Sequence, residues 1–252
     1  MCHERLTAPI SGGAGIEEED VTFSGKGQDV PAFFARPEGV KAPAVLIIHD
    51  VWGANDFYHD LARRLAVEGF ATLLPDFFVR EGPPANPSRE AVMARRARNN
   101  QLTAMDDIGA AILWLQNTTS TTGKVGTVGF CMGGTLAMLA AGRDPLPDAT
   151  VVFYGFPAPQ TTQMAPLAPM NEVEEVRSPM LGFWGEEDKG VGMDNLQRYD
   201  EALSRTGAFH DFTVFPNIGH GFLTFKPDAP AFEPSQEAFQ KAVAFLRDKL
   251  AP

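Results

Sequence analysis

Lys124-Val125-Gly126-Thr127-Val128 leads into Gly129-Phe130-Cys131-Met132-Gly133 and on into Gly134-Thr135-Leu136-Ala137, and the reading of this stretch decides the fold. The first five residues read as a buried strand, and those after Gly133 as a helix through Ala141. G-x-C-x-G between a strand and a helix is the spacing of a nucleophile elbow, with Cys in place of the usual Ser. Glycine on each side of the nucleophile leaves room where a side chain would clash with backbone. The N-terminus of the following helix places partial positive charge beside the sulfur, favouring both a thiolate and a neighbouring oxyanion. A solitary cysteine is more often a small buried hydrophobe. The elbow is what makes Cys131 a candidate nucleophile.

Outward from the elbow, the chain alternates apolar strands with amphipathic helices, the pattern of a mostly parallel sheet covered by helices on both faces. Residues 44–49 (AVLIIH) form a continuous apolar run, as a strand buried on both faces requires. Short strands are predicted at 21–23, 30–36, 71–74, 151–154, 180–184 and 212–215. Helices are predicted from about Asn55, from Ser88 as cap, and over 102–116, 195–204 and 234–250. The stretch 155–175, rich in Pro and Met, is the one place for a lid or inserted loop.

A chain of 252 residues, 44% hydrophobic and 21% charged, suits one α/β domain over 1–252, with 1–20 as a loose N-terminal segment. The net charge of −11 and pI near 4.9 argue against nucleic acid or an anionic membrane surface as partner. No apolar run has the length of a membrane span, and residues 1–20 lack a signal-peptide core. Two cysteines, Cys2 and Cys131, make no disulfide framework, so a reducing cytoplasm is expected.

A thiol nucleophile needs a base and a group that orients the base. His220, in Gly219-His220-Gly221-Phe222, follows the strand 212–215 on a glycine-flanked loop. His49 ends a strand beside Asp50 and reads as a support of the site. The acid lies in Gly185-Glu186-Glu187-Asp188, directly after the strand 180–184; Asp188 is favoured, with Glu186 and Glu187 as rivals. The order nucleophile, acid, His is that of α/β hydrolases.

Four blocks in order now carry a resemblance: His49-Asp50-Val51-Trp52-Gly53, Pro75-Asp76-Phe77-Phe78-Val79-Arg80, the Cys131 elbow, and Gly219-His220-Gly221-Phe222 after the Asp188 block. Together they resemble the dienelactone hydrolases (carboxymethylenebutenolidases), of the α/β-hydrolase fold. The resemblance implies that Asp50, where the family usually has Glu, accepts the thiol proton. It implies an oxyanion hole from the backbone N–H groups of Val51 and Met132. It further places Arg80, Trp52, Phe222 and position 224 beside the substrate; the family has a second carboxylate-binding arginine at that last position, and here it is Thr224. The expected activity is opening of a small ester or lactone through an acyl-Cys131 intermediate, with no metal and no organic cofactor. Two alternatives stay open: an esterase or thioesterase for another, neutral acyl group, and a silent ligand binder of the same fold.

Overall fold

β5 (Thr121–Phe130) stands at the middle of one eight-stranded sheet, with its last six residues fully buried. The computed structural model describes residues 15–158 and 160–251. β3 (Ala42–Ile48) pairs parallel with β5 on one side, and β6 (Ala149–Phe153) on the other. β7 (Met180–Gly185) and β8 (His210–Phe215) extend the parallel run beyond β6. Beyond β3 lie β4 (Ala71–Pro75), parallel to it, then β2 (Asp29–Pro37), antiparallel to β4, and β1 (Ile16–Ser24), antiparallel to β2. The order is therefore β1-β2-β4-β3-β5-β6-β7-β8.

Among the described residues six α-helices accompany the sheet: α1 (Asp56–Val67), α2 (Arg89–Arg98), α3 (Gln101–Asn117), α4 (Met132–Ala140), α5 (Met193–Thr206) and α6 (Phe232–Lys249). Alternate residues of a strand face opposite ways. At Gly126 of β5 the close neighbours are Leu246 and Leu250, on and just beyond α6, whereas at Gly129 they are Gly133 and Ala137 of α4. The odd separation puts α6 and α4 on opposite faces. This is the layered α/β architecture that the alternation of elements predicts.

The first strand differs from expectation. It begins at Ile16, inside the stretch read as loose, while Cys2 and the rest of 1–14 lie outside the described residues. Its acidic residues are the reason. Glu17 and Glu19, two apart and so on one face, both meet Arg36 of β2; Glu18, on the other face, takes a two-pronged pair from Arg63 of α1. The sequence predicts a loose segment, but charge pairing with β2 and α1 holds part of it as an edge strand.

From β3 the chain moves outward to β4 and then returns to β5, to progress the other way through β6 to β8. Open α/β sheets bind ligands outside the carboxyl ends of their strands at such a reversal. The loop after β3 and the elbow after β5 therefore meet where a site is expected. No helix among the described residues is long and apolar enough to cross a membrane.

Candidate active site

Cys131 lies between β5 and α4 with φ 54° and ψ −116°, a left-handed backbone that non-glycine residues rarely adopt. Its N–H donates to the Phe153 carbonyl (3.0 Å), extending the β5–β6 ladder by one residue, and its carbonyl accepts from the Thr135 N–H (3.0 Å). Both flanking glycines are sterically required. A Cβ at Gly129 would run into the Gly133 carbonyl, and one at Gly133 into the Ile48 carbonyl at the end of β3. Close approach here presses the first turn of α4 against the loop after β3, and Met132 and Val51 line one cavity. As an N–H of the first helical turn, that of Met132 has no intrahelical acceptor.

A cavity of about 500 Å³ opens on the elbow, and Val51, Trp52, Cys131, Met132, Phe156, Asp188 and His220 all line it. The His220 imidazole donates from Nδ1 to Asp188 Oδ2 at 2.5 Å. Asp188 is buried, and its other oxygen accepts the N–H groups of Gly190 (3.0 Å) and Val191 (3.1 Å). A buried carboxylate held by three donors has the fixed geometry needed to hold one imidazole tautomer. Of the two rivals, Glu186 accepts the Asn217 N–H and Glu187 is exposed at the cavity wall. Tyr154 meets the imidazole edge-on at 5.0 Å, and Phe156 packs on it at 5.2 Å. The ring is thus clasped by a carboxylate and two aromatics.

The loop after β3 is built around His49 and Asp50, both fully buried. Phe77 donates its N–H to His49 Nε2 (3.1 Å), which leaves the proton on Nδ1, where it is donated to the Asp50 carbonyl (2.8 Å). Burial pulls the His49 pKa below its ordinary value and keeps the ring neutral, although Asp76 and Asp50 pull the other way. Asp50 Oδ1 accepts the Trp52 N–H (2.8 Å), and the Asp50 N–H reaches the Tyr58 hydroxyl (3.1 Å). The cavity wall at this point consists of its successors Val51 and Trp52.

Three residues expected beside the substrate are not among those lining this cavity and have partners of their own. Arg80 grips the fully buried Asp107 of α3 with two nitrogens, at 2.5 and 3.1 Å, and donates to the Lys26 carbonyl at 2.6 Å. An uncompensated carboxylate in the core is costly, so Asp107 claims that guanidinium. Thr224 is held in its loop, its N–H on Ser235 Oγ (3.0 Å) and its own Oγ1 accepting from Lys226 N–H (3.2 Å). Phe222 is a core ring packed against Phe153, Tyr154 and Phe215. It anchors the His220 loop from below.

The site also uses residues that sequence reading missed. Arg95 is buried, stacks 4.0 Å over Phe78 and donates to the Val51 carbonyl (2.8 Å), fixing the peptide next to the elbow. Burial draws its pKa below the ordinary arginine value, against the pull of Asp76 and Glu81. Thr135 accepts the Phe156 N–H (2.9 Å) and donates to the Cys131 carbonyl (3.3 Å). Arg89, Met93 and Arg96 of α2 and Lys189 complete the rim. Spacing carried a signal for α2: 89, 93 and 96 share one helical face, and 92 and 95 another.

Sheet order, elbow and crevice define an α/β hydrolase. The chain belongs to the dienelactone hydrolase family, whose model matches residues 30–250. It is 27% identical over 250 residues to a carboxymethylenebutenolidase of Rhodococcus opacus, covering 98% of this chain and 96% of that one. A Methylorubrum extorquens protein provisionally given the same name is 29% identical over 223 residues, 86% of this chain and 76% of its own. Among solved structures, a Klebsiella pneumoniae protein provisionally named a dienelactone hydrolase superposes with a TM-score of 0.83 at 22% identity, covering 91% of this chain and 98% of that one.

Proposed function

We propose that the chain opens an ester or lactone by forming an acyl thioester on Cys131. Its family makes it a carboxylic ester hydrolase. The observation that carries the mechanism is a cysteine on a positive-φ elbow, sharing one cavity wall with a histidine held by a buried aspartate. Cys131 Sγ attacks the carbonyl carbon while its proton passes to His220 Nε2. The carbonyl oxygen, now an oxyanion, lies against the Val51 and Met132 N–H groups; each such donor typically contributes about 10²–10³ in rate. The C–O bond then breaks, and the imidazolium, stabilised by Asp188, protonates the departing alkoxide or enolate. Water, deprotonated by His220, attacks the thioester, releases the acid and restores the thiol.

Asp50 is assigned as an accessory proton acceptor for the thiol, supported by a fully buried carboxylate one residue before Val51. The substrate is an ester or lactone. The family's paired-arginine clamp for a carboxylate has no direct counterpart, since Arg80 is engaged by Asp107 and position 224 carries a neutral threonine.

Cys131→Ala is expected to abolish turnover of p-nitrophenyl acetate. Rapid acid quench of the native protein with the same ester should yield one acetyl group on the Cys131 peptide by mass spectrometry. Retained turnover in Cys131→Ala would discard the mechanism.

A further inference from the structure

Past Met132 and Phe156, the cavity at Cys131 adjoins a second one of about 600 Å³. Arg96, Met132, Phe156 and Gly190 line both. Its apolar side is formed by Leu136 of α4 and by Met164, Ala165, Leu167 and Ala168 of the loop after β6, while Asn99, Gln160, Thr162 and Gln163 line its outer side. A volume of this size falls in the range of ligand pockets, roughly 300–1,000 Å³.

The hydrogen bonding shows a built chamber. Gln101, the buried first residue of α3, accepts the Leu167 N–H at Oε1 (2.8 Å) and donates from Nε2 to the Leu167 carbonyl (3.1 Å). Its own N–H donates to the Met164 carbonyl (2.9 Å). One side chain thus engages both backbone groups of Leu167, as a neighbouring strand would, and pins the loop to the start of α3. Thr135 ties the partition residue Phe156 to the elbow itself.

The surroundings also distinguish the two sides of a bound ester. The alcohol must leave toward His220, which protonates it, and His220 lines the first cavity. The second is lined by Met132, Thr135 and Leu136, the start of the helix that follows Cys131. The acyl group stays on Cys131 through the thioester stage, beside that first turn.

We propose that this second chamber is the acyl subsite, and that the chain acts on esters with an extended apolar acyl arm of about six carbons or more, an inference that rests on the acyl-Cys131 reading. The test compares p-nitrophenyl acetate, butyrate and hexanoate with the native protein and with Ala165→Trp, which fills the chamber from a half-buried loop position. In the native protein kcat/KM should rise at least tenfold from acetate to hexanoate. Ala165→Trp should remove that rise and leave acetate within twofold. Gln101→Ala, which frees the loop, should lower the hexanoate-to-acetate ratio without changing the acetate rate. A flat or falling native series overturns the proposal, as does an equal loss on both esters in Ala165→Trp. Should Cys131→Ala still hydrolyse acetate, the mechanism fails while the chamber is judged by calorimetry. Hexanoate binding tenfold tighter than acetate, and lost in Ala165→Trp, sustains the chamber; equal or undetectable binding overturns it.

Discussion

At Cys131 the backbone occupies a region that costs about 1–3 kcal/mol for a non-glycine residue, and its neighbours hold it there. Gly129 and Gly133 allow α4 to approach β3, and the Phe153 carbonyl fixes the Cys131 N–H. The result is a buried cysteine, 6% exposed, that lines the crevice. Asp50 is fully buried in the loop after β3. If it accepts the thiol proton, Asp50→Asn, nearly isosteric, should cut kcat/KM by about 10²-fold, in the range of general-base contributions. Its melting temperature should stay within a few degrees of the native value. Unchanged kcat/KM removes Asp50 from the chemistry and leaves it the structural task of holding the Trp52 N–H.

Helix α2 shows how one element serves both packing and the site. Ser88 caps it through the Ala91 N–H, as its sequence predicts. Val92 and Arg95 face inward, whereas Arg89, Met93 and Arg96 are exposed along the rim. Among the described residues, Arg63, Arg64, Arg80 and Arg247 each meet a carboxylate; Arg89 and Arg96 do not. A protein of net charge −11 therefore presents cationic groups at the mouth of its crevice. The double variant Arg89→Gln/Arg96→Gln is expected to lower kcat/KM for mono-p-nitrophenyl glutarate by about five- to tenfold, and p-nitrophenyl valerate by less than twofold. The difference should shrink as salt is raised, because exposed charges are screened over about 10 Å at 0.1 M. Equal effects on both esters would mean that the rim does not read charge.

Across the whole molecule, the Arg80–Asp107 pair joins the loop after β4 to α3 and, through Lys26, to the turn between β1 and β2. Removing one partner of a buried pair typically costs about 3–5 kcal/mol, because the other charge stays behind. Arg80 is partly exposed, so Arg80→Ala should lose roughly 3 kcal/mol in urea unfolding. Its kcat/KM toward small esters should stay within threefold. A large kinetic loss with native stability would return Arg80 to the substrate side.

Sequence alone determined the parts of this protein that are local in the chain. Continuous apolar runs specify buried parallel strands, and G-x-C-x-G specifies an elbow because only glycine tolerates the contacts at 129 and 133. The order of Cys131, Asp188 and His220 follows the order of strands whose carboxyl ends carry them. Ser88, a capping residue type, also marked the start of α2. Tertiary structure alone decided the pairings between distant segments. Arg80 goes to Asp107, Arg95 to the Val51 carbonyl, and the acidic residues of β1 to Arg36 and Arg63. Gln101 goes to Leu167, so a loop legible only as long becomes the wall of a chamber. A guanidinium or amide reads the same in any sequence; which buried partner it must satisfy depends on what the fold brings within hydrogen-bonding reach.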